Sequence, residues 1–184
     1  MSGDAARSTK APLVLTLSKH LGAALAFVVA GQAAAEPLPR LPVIEQIVVR
    51  KSDRVMELYA GGRLVHTIEN IQLGGAPEGP KRFQGDRRTP EGRYTIDYAN
   101  PESSYNLSLH ISYPNGDDLA YARSQGRSAG GLIFIHGQPN GWAEETRLAR
   151  VPGDWTDGCI AVGDDEIEAL WRAVPDGAVI DILP

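Results

Sequence analysis

Two short stretches, Ile133-Phe134-Ile135-His136-Gly137 and Asp154-Trp155-Thr156-Asp157-Gly158-Cys159-Ile160-Ala161-Val162, decide how this chain is read. Each joins a run of strand-forming apolar residues to a reactive side chain and a glycine. In the first, an apolar strand delivers His136 to the start of a loop, where a side chain can reach a cleft. In the second the glycine comes first. Gly158 lets the backbone turn closely, so the amides of Gly158 and Cys159 are candidates for an oxyanion site beside the sulfur. A free thiol titrates near ~8.5, and a neighbouring imidazole can take its proton to give a nucleophilic thiolate. The two stretches meet only if the segment between them loops out and two strands lie side by side. Pro139, Asn140, Gly141, Pro152 and Gly153 favour that loop.

Working outward, Arg93 to Tyr98, Leu107 to Tyr113 and Leu132 to His136 read as strands, with a short helix over Asp117 to Ser124. Farther upstream, Gln46 to Lys51, Val55 to Tyr59 and Arg63 to Leu73 form a β-meander turned at Ala60-Gly61-Gly62. Gly74 to Gly92, rich in glycine and proline, is a long surface loop. Downstream, Asp164 is placed to cap a helix whose apolar positions Ile167, Leu170, Trp171 and Val174 recur at helical spacing. Pro175-Asp176-Gly177 ends that helix, and Ala178 to Leu183 returns to the sheet as a last strand. The expectation is a mainly β chain with a few short helices.

A length of 184 residues with 42% hydrophobic content fits one globular domain. Lys and Arg number 18 against 23 Asp and Glu, so the net charge of -5 gives no reason to expect nucleic acid as a partner. The first 35 residues differ from the rest: Arg7, Lys10, Lys19 and His20 precede the apolar run Leu21 to Ala30, which ends in Ala33-Ala34-Ala35. That is the layout of a secretory signal cleaved after Ala35, leaving no stable membrane insertion. The competing reading is an uncleaved anchor. Residues 36–43 then form a Pro-rich linker, and residues 44–184 the functional domain. A lone cysteine in an exported chain is an accident, a site for an intermolecular disulfide, or a nucleophile kept for its chemistry.

The pattern His136-Gly137, then Thr156-Asp157-Gly158-Cys159-Ile160, with Thr89-Pro90-Glu91-Gly92-Arg93-Tyr94 upstream, resembles the L,D-transpeptidase catalytic domain family, also called the YkuD-type domain. Leu109-His110-Ile111-Ser112-Tyr113-Pro114-Asn115 is similar to a proteobacterial branch of periplasmic members. The resemblance runs from about Ile44 to Leu183. It implies a β-sandwich-like fold and a two-step acyl transfer on peptidoglycan stem peptides, with no cofactor. Cys159 would attack the carbonyl between the third residue of a tetrapeptide stem and the terminal D-alanine, giving a thioester. His136 would be the base, and the Gly137 carbonyl would orient its imidazole. An amine from a neighbouring stem, a lysine of a wall-tethered protein, or water would then resolve the thioester. Two departures bear on the substrate: Asp157 stands where histidine is usual, and Ala161 where many members have arginine or asparagine.

Several residues remain open to a plainer reading. His110, Thr156, Asp157 and Trp155 are candidates for substrate contact, but His110 could equally be satisfied by a neighbour, and Trp155 and Trp142 could be packing anchors. Arg82, Arg87 and Arg88 could meet stem carboxylates or simply be solvated. Thr89 to Gly92 reads as a turn. The alternatives to a transpeptidase are a peptidoglycan hydrolase on the same fold, a zinc hydrolase using His66, His110, His136 and Cys159, and a non-catalytic wall-binding module. No compact metal-binding spacing supports zinc.

Overall fold

A computed structural model of the chain describes residues 40–142 and 150–184. The signal segment proposed for residues 1–35 lies outside the described residues. The elements run β1 (Gln46–Arg50), β2 (Val55–Ala60), β3 (Arg63–Glu69), β4 (Gly92–Asn100), β5 (Ser108–Ile111), α1 (Gly116–Ser124), β6 (Ile133–His136), β7 (Ile160–Ala161), α2 (Asp164–Ala173) and β8 (Val179–Leu183).

The strands make one eight-stranded sheet in the order β3-β2-β1-β8-β4-β5-β6-β7. The meander at its start is built by alternation: Ile47, Val49, Met56 and Leu58 point inward and are fully buried, while their neighbours reach solvent. Each such side chain contributes about 1.5–3 kcal/mol of burial. Strand β8 enters parallel to β1 and antiparallel to β4. The nine-residue β4 then serves both halves, pairing Gly92 to Thr95 with β8 and Ile96 to Asn100 with β5. By this turn of the sheet, Ile47 and Leu58 share one core with Ile96, Ile111, Ile135 and Ile160, and α2 adds Ile167 and Leu170. The chain is therefore mainly β with two short helices, and one core lies between the halves.

Two expected boundaries differ. The third strand stops at Glu69, because Asn70 adopts a left-handed φ of 56°; beyond it, Gln72 and Gly74 make only single bridges, to Ala161 and Thr156. Asp164 is not the cap of α2. Gly163 holds that position, its N–H donating to the Glu166 carboxylate at 2.6 Å, and Asp164 is freed to accept from the Gln138 N–H at 2.8 Å. Helix α1 is capped by Asn115, whose side chain accepts from the N–H groups of Asp117 and Asp118.

The loop from Gly74 to Glu91 has no strand but is tightly pinned. Asp86 accepts from the N–H groups of Arg82, Phe83 and Arg88 and from the buried Lys81 ammonium at 2.9 Å. Burial alone would push Asp86 up; these donors outweigh it and hold the carboxyl below the usual range. At the other end, buried Lys51 donates to Gly79 O, Thr89 O and Glu91. This loop forms the floor on which the cysteine turn rests.

Candidate active site

Strands β6 and β7 run parallel, with Ile135 opposite Ile160 and His136 opposite Ala161. One residue earlier, Cys159 comes opposite Phe134. Side chains alternate along a strand, so Ile135 and Ile160 enter the core while Phe134, His136 and Cys159 share the other face. Cys159 and His136 are thus diagonal neighbours across two paired strands. The sheet, rather than the long loop, brings them together.

His136 is buried, 3% exposed. Its Nδ1 lies 2.7 Å from the Gly137 carbonyl oxygen, which can only accept, so Nδ1 carries the proton and Nε2 keeps its lone pair. Tyr105 packs over the ring at 4.5 Å between centroids, and Trp155 meets it edge-on at 5.6 Å. Burial pushes the imidazole below its ordinary pKa, against the opposing effect of the Gly137 bond. Only glycine fits at 137, since a Cβ there would lie 2.5 Å from the Asp164 carboxylate and 3.0 Å from Tyr105 O. Its N–H donates to Tyr105 O at 3.0 Å, which ties the β4–β5 loop to the histidine.

Cys159 follows a turn clamped by Thr156, whose hydroxyl donates to Cys159 O at 2.8 Å and accepts from the Gly158 N–H at 3.1 Å. Gly158 is required there: its φ is 131°, and a Cβ would approach Arg88 O to 2.6 Å. The Gly158 amide, a sequence candidate for an oxyanion site, is therefore committed to Thr156. No hydrogen bond among the described residues engages the Cys159 N–H. The sulfur makes a weak 3.7 Å contact to Leu132 O, a carbonyl turned toward it by the left-handed φ of 57° at Leu132. Burial pushes the thiol above its usual pKa and the Asp157 carboxylate adds to this, while the Phe134 N–H and Lys81 ammonium oppose it. Both shifts favour the uncharged pair of thiol and imidazole.

The two residues open onto a cavity of about 300 Å³, also lined by Ser108, Leu132, Phe134, Asn100 at the end of β4, and the β4–β5 loop residues Glu102, Ser103, Ser104 and Tyr105. Two larger cavities, about 380 and 390 Å³, lie beside Lys51 and beside Arg54 and contain neither residue. Lys51 and Arg54 are engaged in ion pairs with Glu91 and Asp154. Chemistry rather than size makes the smaller cavity the candidate site.

The remaining candidates separate. Thr156 is buried as the clamp of the turn and does not line the cavity. Asp157 is 92% exposed and lies 3.5 Å from Arg87. Trp155 packs on His136 and Tyr105, while Trp142 is exposed. His110 does not line the cavity either; its Nδ1 lies 2.6 Å from the Asp97 carboxylate. Arg82 sits over the Tyr121 ring. The zinc set does not assemble: His66 pairs with Leu58 at the opposite edge of the sheet, and no group of three or more His, Cys, Asp or Glu among the described residues is arranged around a metal position.

Sequence reading missed Tyr105, which had only its place as an aromatic in the polar stretch Ser103-Ser104-Tyr105-Asn106 to mark it. It also missed a buried clamp in which the Gln138 amide donates to Gln72 Oε1 at 3.1 Å and Val162 O at 2.7 Å. The Gln138 side-chain oxygen accepts from Val151 N at 2.8 Å, and Gln72 holds Val151 O and Gly153 O. The clamp fixes the approach to the cysteine turn against the histidine strand.

The chain is similar to several known proteins. The Escherichia coli (strain K12) protein named "Putative L,D-transpeptidase YafK" is 34% identical over 103 residues, 52% of this chain and 38% of that one. The crystal structure of the helical cell shape determining protein Pgp2 from Campylobacter jejuni aligns with a TM-score of 0.59 at 26% identity, covering 76% of this chain and 47% of Pgp2. Bd1075 from Bdellovibrio bacteriovorus shares the fold, with a TM-score of 0.52 at 24% identity over 79% of this chain and 53% of that one. The chain spans well under half the length of YafK and about half that of Pgp2. Residues 44–182 match the YkuD L,D-transpeptidase catalytic domain, and the chain belongs to that family.

Proposed function

We propose that this protein is an exported, periplasmic cysteine L,D-transpeptidase acting on peptidoglycan tetrapeptide stems. The observation that carries the proposal is the shared cavity of Cys159 and His136, in which the Gly137 carbonyl fixes the imidazole with Nε2 free to accept a proton. The stem carbonyl enters beside the sulfur. As Sγ attacks, its proton passes to Nε2, and the carbonyl oxygen becomes an oxyanion facing the Cys159 N–H. Collapse breaks the bond to D-alanine, whose amine takes the proton from His136, and leaves a thioester. An incoming amine then attacks the thioester, giving its proton to Nε2, from which it returns to the departing sulfur.

Burial favours the neutral pair, and the proton moves with the attack. The reaction needs neither a preformed thiolate nor a cofactor. An amine from a neighbouring stem gives a cross-link, and a lysine of a wall-tethered protein gives a tether. Export rests on the arginine, lysine and apolar pattern of the first 35 residues, with cleavage after Ala35. Among the described residues no helix is long and apolar enough to cross a membrane.

Incubation of wild type and Cys159→Ala with purified disaccharide-tetrapeptide, read by mass spectrometry, tests the proposal. Free D-alanine together with dimers joined through third residues, from wild type alone, is the expected outcome. Tripeptide without dimers moves the activity to hydrolysis. Equal products from both proteins overturn the role of Cys159.

A further inference from the structure

A row of aromatic rings runs across the sheet from the nucleophile, and the proposed reaction does not use it. Tyr98 pairs with His110 and His110 with Phe134, and Cys159, the residue just before β7, falls beside Phe134 where the β6–β7 register is extended by one residue. The rings are in contact: His110 stacks on Tyr98 at 4.5 Å and 16°, and meets Phe134 edge-on at 4.8 Å. The β4–β5 register slips between Ile96 and Tyr98, so Asp97 is the extra residue of a bulge. The bulge sets both Asp97 and Tyr98 against His110, one on its edge and one on its face. Tyr98 at the far end is 41% exposed, and the Asp97 side chain 43%.

A flat aromatic ring beside an exposed carboxylate suits a pyranose, which offers a face of C–H groups for stacking and hydroxyls at its rim to donate to the carboxylate. Three strand steps put Tyr98 about 14 Å from Cys159. A stem whose third residue is attacked reaches back through three residues, about 10 Å when extended, and the sugar ring that bears it covers the remaining distance. We propose that Tyr98, with Asp97 at its side, is a subsite for the glycan sugar carrying the donor stem. The proposal rests on the peptidoglycan reading of Cys159 and adds a second, carbohydrate determinant of substrate choice.

The test compares kcat/KM for D-alanine release from disaccharide-tetrapeptide and from the same tetrapeptide without sugar, in wild type, Tyr98→Ala and Tyr98→Phe. Wild type is expected to prefer the disaccharide substrate, Tyr98→Ala to lower that preference about tenfold, and Tyr98→Phe, which keeps the ring, to retain it. A structural defect would lower both substrates together and leave the ratio unchanged. A wild-type ratio near one, or a ratio unmoved by Tyr98→Ala, overturns the subsite while leaving the reaction intact. Failure of wild type to release D-alanine from either substrate overturns the underlying function and the subsite with it.

Discussion

The meander β1–β3 and the ends of β6 and β7 are held together by different means. Ile47, Val49, Met56, Leu58 and Ile68 are packed as apolar side chains with no directional partner. Around Cys159 the buried residues include Gln72, Lys81, Thr89, Ser108, His136, Gln138 and Thr156. Apolar packing tolerates repacking, because it depends on volume and area. A buried polar group must meet its partner in one geometry or lose its desolvation energy outright. The meander relies on tolerant packing, and the surroundings of the sulfur and the imidazole add directional hydrogen bonds.

Mutations in the two regions should therefore fail differently. His136→Asn should lower kcat/KM by about 10²–10⁴ with the fold retained by circular dichroism, because it removes the proton acceptor alone. Leu58→Ala should show the converse: a loss of about 2–5 kcal/mol in denaturant unfolding, with the kcat/KM of the folded fraction unchanged. If it instead altered catalysis as much as stability, the contrast between the regions would collapse.

Gln138→Leu belongs between these. It leaves the Val151 N–H without its acceptor and removes the donor to Gln72 and Val162, so a destabilisation of about 1–3 kcal/mol should accompany a fall in kcat. Tyr105→Ala should cost about tenfold in kcat/KM with little change in unfolding, since the ring it removes is partly exposed and stacks on His136.

The pH dependence of the thiol sharpens the same point. Burial disfavours the thiolate and the imidazolium alike and so favours the neutral pair. Alkylation of Cys159 by iodoacetamide should be slow at neutral pH and rise with pH through a midpoint above the ordinary thiol range. A fast plateau extending through neutrality would show a preformed ion pair.

How much the sequence disclosed follows from the same division. Alternation in Gln46 to Tyr59 and the helical stripe of Ile167, Leu170 and Val174 are local patterns, so those elements were readable. His136-Gly137 and Gly158-Cys159 were readable as motifs, because glycine is demanded at both positions by close approaches to Asp164 and Arg88. The clamp of Gln72 on Gln138 joins residues 66 apart, and nothing local in either glutamine signals it. Thr156 looked like a substrate contact because it sits in the motif, yet its hydroxyl is used up in holding the turn. Asp164 looked like a cap for the same local reason and was drawn away by Gln138. Contacts between distant segments decided each of these cases.

Intact-protein mass spectrometry after rapid acid quench of wild type with disaccharide-tetrapeptide tests the formation of the Cys159 thioester. The expected result is a transient adduct equal to the substrate less D-alanine, located on Cys159 by digestion and absent from Cys159→Ala. D-alanine release by Cys159→Ala at the wild-type rate, or an acyl group trapped on another residue, would contradict it.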